Sequence, residues 1–280
     1  MSAYYYLVAG LPDIAFDDGK LSYSIDDFRS ELYPDLSDKD RKLTDLFFLQ
    51  YDNNNLITLL RDKDACVGRQ GLYAADELLQ MIDKVKNDDV LEGKYPSYFQ
   101  SFIVDYLSLP EEEQYKAQDL LAAYYYDYAM KCGNSFVSSW FEFSLNMNNI
   151  QAALAARKYK YEVADVIVGH TEVCDLLRTS NARDFGLNEV IGYFDAVQRL
   201  TEIEDLVERE KKVDLMKWNW LEDESFFHYF TIERIFVFLI KLDIIERWVS
   251  MDKEKGSELF RKMIDALKDD VRIPDEFTKQ

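Results

Sequence analysis

Glycine and proline are scarce in this chain, ten and five among 280 residues. That scarcity excludes a fold built on many tight turns and favours long elements with few breaks. Cysteine is scarcer still: Cys66, Cys132 and Cys174 lie far apart, and no CxxC occurs. An odd, scattered set excludes a disulfide framework and reads as a reduced, intracellular protein with structural thiols. The only two histidines, His170 and His228, have no second histidine or cysteine at ligand spacing, and HExxH is absent. No metal site is therefore expected, and both read as loop or packing residues. GxGxxG, GxxxxGK[ST] and GxSxG are missing too, so neither a phosphate-cradling loop nor a nucleophile elbow is expected, and no cofactor. The strongest apolar run, Ile235 to Ile240, stops at Lys241. It falls far short of the ~20 residues that span a bilayer. The N-terminus lacks a basic stretch before its short apolar run, so no signal peptide is expected.

Aromatics, by contrast, are plentiful: 19 Tyr, 18 Phe and 4 Trp, within 48% hydrophobic residues. In a helical protein such side chains fill the wide spaces between helices. The content is ample for a sizeable core. A formal net charge of −20 repels phosphate backbones and anionic lipid head groups, so neither nucleic acid nor direct lipid insertion is expected. A basic protein partner suits it. The same charge also keeps an aromatic-rich chain in solution.

A weak internal repeat organises the chain. Phe47 to Leu60 (FFLQYDNNNLITLL) is echoed 94 residues later by Phe141 to Leu154 (FEFSLNMNNIQAAL). Phe47 meets Phe141, Asn54 meets Asn148, Asn55 meets Asn149 and Leu60 meets Leu154, while Asp52 becomes Asn146. A third step of 94 reaches Ile235 to Trp248, where Asn149 maps to Asp243. A period near one third of the chain predicts an all-α fold of three similar helical sub-bundles, roughly 1–95, 96–188 and 189–280, within one domain. Any two amphipathic helices share some of this likeness. Asn55, Asn149 and Asp243 are expected at comparable contacts between helices, in structural roles.

Local signals place the elements. Tyr4 to Ala9 is apolar and β-prone, predicting a short strand or buried extended arm. Ser24 precedes a short helix stopped by Pro34. Ser37 and Asp40 form an N-cap and acidic first turn for a long helix running to about Arg61. Cys66 to Gly71 is a loop. Further helices are predicted at Ala74 to Lys86, from Pro96 to before Pro110, from Glu111 to a C′ glycine at Gly133, and from Ser135 to Arg157-Lys158. The last third reads as helices at Val173 to Arg178, Glu189 to Val207, Phe226 to Trp248 and Lys253 to Lys268, the last with Leu259, Phe260, Met263, Ile264 and Leu267 on one face. A frayed tail follows Pro274. The segment Phe226 to Trp248 is apolar nearly all round and is expected to be the most buried.

Little of this carries chemistry. Glu111-Glu112-Glu113 suits the positive end of a helix dipole better than catalysis. Asp52 to Asn55 invites a calcium reading, but the glycine and distal glutamate of an EF-hand loop are missing. Such Asx clusters commonly make local hydrogen bonds. Carboxylate pairs are abundant, and none stands out from the acidic background.

The stretch Asp52 to Arg61 (DNNNLITLLR) resembles the D-x-x-N-hydrophobic, leucine-leucine-arginine motif of the connector subunit of archaeal and V-type ATPases, known as the C subunit and, in eukaryotes, as the d subunit. Asn146 to Tyr159 (NMNNIQAALAARKY) is similar to that family's next such helix, with Asn149 and Arg157 in the matching places. Lys241 to Trp248 (KLDIIERW), with Asp243, occupies the place of a third. The opening YYYLVAGL resembles the family's aromatic start, with small residues where an arginine is usual. The chain is also somewhat shorter than typical members. The resemblance covers most of the chain through short motifs and looks most like a divergent bacterial version. It implies a funnel of three helical units about a pseudo-threefold axis. It also implies a non-catalytic connector between the central stalk and the membrane proteolipid ring, cytoplasmic and held at the inner membrane through the complex. A helical adaptor or assembly factor is the alternative, and an enzyme using a carboxylate pair between helices is a third.

Overall fold

A computed structural model describes the backbone of residues 4–270 and the side chains of residues 4–252. The chain is all-α, with no strand among the described residues. In order, the helices are α1 (Tyr5–Ala9), α2 (Ile25–Asp27), α3 (Asp38–Arg61), α4 (Ala75–Lys86), α5 (Ser97–Ser108) and α6 (Ala117–Met130). They continue with α7 (Ser135–Tyr159), α8 (Glu172–Thr179), α9 (Phe194–Thr201), α10 (Leu206–Glu224) and α11 (Ile232–Asp270).

The three longest, α3, α7 and α11, organise the rest. Ser37 caps α3 by accepting from the Asp40 N–H, and Asn134 caps α7 by accepting from the Val137 N–H. Each cap satisfies one of the N–H groups that a helix start leaves unpaired, worth ~1 kcal/mol. Helix α3 packs on α4, α6 and α11, while α7 packs on α6, α8, α9, α10 and α11. Helix α11 is buried continuously from Ile235 to Leu242, Lys241 included. Aromatic side chains fill the spaces between helices. Phe141 meets Phe236 of α11 at 6.2 Å and Tyr125 of α6 edge-on at 5.6 Å between ring centres. The Tyr125 hydroxyl donates to the Leu46 carbonyl of α3 at 2.7 Å, so a buried ring keeps its polar tip satisfied.

Several local expectations are corrected. Tyr4 to Ala9 is neither strand nor extended arm. Its β-prone residues form α1 because Tyr4 is fixed at both ends: its N–H bonds the Phe230 carbonyl at 2.7 Å and its hydroxyl bonds Asp40 at 2.6 Å. Glu111 to Lys116 is a 3₁₀ segment, and α6 proper starts at Ala117. The single helix expected from Glu189 to Val207 is broken. Asp205 starts α10 by accepting from the Glu208 N–H at 2.8 Å, so the chain must first leave α9. Helix α10 fills a stretch beyond Val207 where no helix was expected. Residues 226–231 form the turn between α10 and α11. The backbone of α11 then runs unbroken to Asp270, where two helices were expected. The face expected on Leu259 to Leu267 and the tail after Pro274 lie outside the residues described at that level.

Candidate functional site

A concavity of about 890 Å³ lies where the three long helices begin. Lys39 and Lys42 from the first turns of α3, Asn134 and Ser135 from the start of α7, and Thr231 and Glu233 from the start of α11 all line it. Tyr98 and Ser101 of α5 and Tyr124 and Tyr128 of α6 complete the wall. The helix starts are tied together. The α7 cap Asn134 donates its side-chain amide to Glu233 Oε1 at 2.7 Å. Tyr4 bridges the other pair, with its hydroxyl on Asp40 of α3 and its backbone N–H on Phe230 just before α11. His228 Nδ1 lies 3.7 Å from Glu233 Oε2. Lys39 and Lys42 make no ion pair among the described residues, while Lys131 pairs with Asp127 at 2.8 Å. The opening thus presents free cationic side chains on a strongly acidic protein. Its lining mixes lysines, hydroxyl side chains, aromatic rings and carboxylates.

A second polar cluster lies between α3, α10 and α11, beside a cavity of about 210 Å³. Asp214, nearly fully buried, accepts from the Arg247 guanidinium and from Trp248 Nε1 at 2.8 Å. Asp243 accepts from the Tyr51 hydroxyl at 3.0 Å. Burial pushes the Asp243 carboxyl above the usual range, against the Tyr51 hydrogen bond and the nearby Arg247. Burial also pulls Lys217 below the ordinary lysine range. These two carboxylates are the paired acids an enzyme reading needs. Asp214, however, is already paired with the Arg247 guanidinium and hydrogen-bonded by the Trp248 indole, so the cluster reads as an interhelical lock.

The residues singled out from the sequence do not gather in one site. Asp52, with no exposed surface, accepts from the backbone N–H groups of Leu72 and Tyr73 at 2.8 and 3.1 Å. Burial pushes its carboxyl up to about 6, although those N–H groups and Arg29 pull the other way. Asn55 grips Gly68 at both ends, donating to its carbonyl at 2.9 Å and accepting from its N–H at 3.1 Å. Asn149 grips Val168 the same way, at 2.7 and 2.9 Å. Both asparagines therefore hold the loop after their own helix, not a neighbouring helix as expected. Asp243 does link two helices, α11 to α3, so it is not their equivalent. Arg157 donates to the carbonyls of Ser180, Ala182 and Arg183 and lies 3.4 Å from the Phe185 ring centre. Arg61 is exposed and makes no side-chain hydrogen bond or ion pair among the described residues.

Sequence reasoning missed the arginines that close the two loops. Arg29 donates to the Gly71 carbonyl at 2.8 Å while stacking on Phe48. Arg178 donates to the carbonyls of Ile167 and Gly169 at 3.0 and 2.6 Å. They come from different elements, so no periodicity exposes them.

This duplicated clamp on an all-helical frame is the setting for the comparison with known proteins. The chain belongs to the DUF2764 family. That family is described as a protein of unknown function, and its profile matches residues 1–271. No curated protein and no solved structure matches the chain. Among the described residues of this DUF2764 protein, no group of three or more His, Cys, Asp or Glu side chains is placed to hold a metal ion. None of its described helices is long and apolar enough to cross a membrane. The three cysteines are free: Cys66 exposed, Cys132 half-buried beside the large cavity and Cys174 buried.

Proposed function

We propose that this chain is the non-catalytic connector of a V-type ATPase rotor, joining the central stalk to the membrane proteolipid ring. The observation that carries the reading is the convergence of α3, α7 and α11 on one wide cavity. A funnel that receives the foot of a stalk needs its long helices to open at one end. It also needs rigidity, since torque is lost in a compliant body. A densely packed aromatic core supplies that stiffness. The helix starts around the opening are cross-linked by Asn134 and Tyr4, which resists their spreading. The pseudo-threefold funnel belongs to this reading. So do a cytoplasmic location and attachment to the inner membrane through protein contacts alone.

The test is capture of stalk and ring proteins by the tagged chain from detergent-solubilised membranes at low and high salt. Both partners are expected at low salt, with weaker capture as charges are screened. Ser101→Arg, an exposed change in the cavity wall, is expected to abolish stalk capture and leave ring capture intact. Recovery of neither partner at low salt removes the connector reading. Stoichiometric ATP binding by the isolated chain would shift attention to the Asp214–Asp243 cluster and an enzyme.

A further inference from the structure

The turn between α10 and α11 carries four aromatic side chains that face solvent: Phe226, Phe227, Tyr229 and Phe230. Tyr5 and Tyr6 of α1 join them, and exposure reaches 90% at Tyr6 and 81% at Phe227. Ring contacts fall in two sets, Tyr5 with Phe230, and Phe226 with Phe227 and Tyr229. Tyr5 and Phe230 have ring centres 4.7 Å apart, and Phe226 and Phe227 5.0 Å.

Fold stability does not account for these side chains. The turn is held by its backbone and by inward groups. The His228 N–H bonds the Ser225 carbonyl at 2.8 Å, Arg234 donates to the buried Ser225 hydroxyl at 3.3 Å, and the Tyr4 N–H bonds Phe230 at 2.7 Å. His228 turns inward, against Phe136, and the Thr231 hydroxyl is buried. A pinned platform that displays large aromatics is the makeup of an interface core, where few side chains carry most of the affinity.

The flank says what covers it. Helix α10 ends in Glu222, Asp223 and Glu224, with no basic residue in its last turn. Acids at a helix C-terminus oppose the helix dipole. Glu222 is matched by Lys241 and Arg234, whereas Asp223 and Glu224 have no ion pair among the described residues. We infer that this aromatic turn is a docking surface for a protein segment whose apolar side chains are flanked by lysine or arginine. An anionic bilayer is repelled by the acidic flank. A second copy would set the same acidic flank against itself in a two-fold contact. The inference does not depend on the rotary reading.

The experiment is calorimetric titration of the full chain with a synthetic Leu/Lys amphipathic peptide of about 18 residues, long enough to fold as a helix. A Leu/Glu peptide with the same apolar face is the control. Saturable binding of one Leu/Lys peptide per chain is expected, with none of the Leu/Glu peptide. Phe227→Ala, and more so Phe226→Ala with Phe227→Ala, is expected to weaken binding about tenfold or more. Asp223→Asn with Glu224→Gln is expected to weaken it several-fold and flatten its salt dependence. Glu111→Gln with Glu112→Gln, two exposed acids elsewhere, is expected to change nothing. If that remote pair matters as much as the flank, or the phenylalanine changes have no effect, the binding is general charge attraction and the inference fails. It fails equally if phosphatidylcholine or phosphatidylserine vesicles bind through Phe226 and Phe227, or if sedimentation shows a dimer that their replacement abolishes.

Discussion

The loops after α3 and α7 solve one mechanical problem with different chemistry. In each, an asparagine grips one loop residue by both its N–H and its carbonyl: Asn55 on Gly68 and Asn149 on Val168. In each, a residue three positions earlier reaches the backbone or cap just before the next helix. In the first loop it is a carboxylate, Asp52, bound to two N–H groups. In the second it is an amide, Asn146, accepting from the Thr171 hydroxyl at 2.7 Å. Thr171 in turn caps α8 by accepting from the Cys174 N–H. The first loop therefore depends on a buried charge and the second on a neutral relay. Helix α11 shows the pattern's limit. Ile240 and Asp243 stand at the matching steps, the helix continues, and no loop is held.

The sharpest way to break the comparison is at the glycines. A Cβ on Gly71 would sit 2.1 Å from Asp52 Oδ1, inside the buried carboxylate's own space. On Gly169 it would meet the Leu145 side chain at 2.9 Å, with a backbone φ of +77°. Leucine can rotate away, whereas Asp52 cannot move without abandoning two N–H groups. Gly71→Ala is expected to cost about 3–4 kcal/mol and Gly169→Ala about 2 kcal/mol, read as shifts in urea midpoint. A reversed order would show that Asp52 is not the rigid element of its loop.

The asparagines come next. Removing either side chain breaks two hydrogen bonds to loop backbone, at an exposed Gly68 and a half-buried Val168, so Asn55→Ala is expected to cost about 1 kcal/mol and Asn149→Ala about 2 kcal/mol. Their loops share no partners, so the double variant should show nearly the sum. Unchanged melting with lost partner binding would instead make the asparagines contact residues.

Charge separates the loops by pH. The Asp52 carboxyl lies at about 6 in the folded chain and near 3.9 unfolded. Between those values the folded state binds the extra proton, so this group's stabilisation is complete below the unfolded value and is lost as pH rises through 6. The shift amounts to about 2–3 kcal/mol. Asp52→Asn is expected to remove that slope, so the variant's stability deficit should shrink by about 2 kcal/mol from pH 4 to pH 7. Asn146→Ala should show a deficit independent of pH. Equal pH profiles for the wild type and Asp52→Asn would mean that the two N–H groups and Arg29 fully offset burial and leave the carboxyl at its unfolded value.

Helices α3 and α7 were legible because their signals are local. Ser37 reads as a cap ahead of apolar periodicity, and Gly133 marks the break before a helix from Ser135, where α3 and α7 do start. The clamp was half legible: the step of 94 pairs Asp52 with Asn146 and Asn55 with Asn149, but an Asx side chain says nothing of where its partner lies. Their partners sit 13 to 25 residues on, in loops of different length. The α10 start at Asp205 was missed, because one helix was expected from Glu189 through to Val207. The run FFHYF concealed its end, because aromatic residues predict burial and here they face solvent. The large cavity had no sequence signal at all, since its wall comes from five helices whose ends meet only in the folded chain.

The smallest contrast is between the arginines that end α3 and approach the end of α7. They match in sequence at Leu-Leu-Arg and Ala-Ala-Arg, with Arg157 slightly further along its helix than Arg61 in the 94-residue register. Arg157 is tied to three carbonyls of the segment 180–183 and stacks on Phe185, so it fixes the path from α8 towards α9. Arg61 has no such partner among the described residues. Arg157 is half-buried and has no carboxylate partner among the described residues, so its worth lies in the fork of hydrogen bonds and the ring contact. Arg157→Ala is expected to cost about 1–2 kcal/mol, and Arg157→Lys nearly as much, because an ammonium cannot serve three carbonyls and lie flat on a ring. Arg61→Ala is expected to stay within about 0.5 kcal/mol. Urea denaturation of the three variants measures all of this. A larger loss at Arg61 than at Arg157 would place the important contact of the first arginine on a surface that the isolated chain leaves bare.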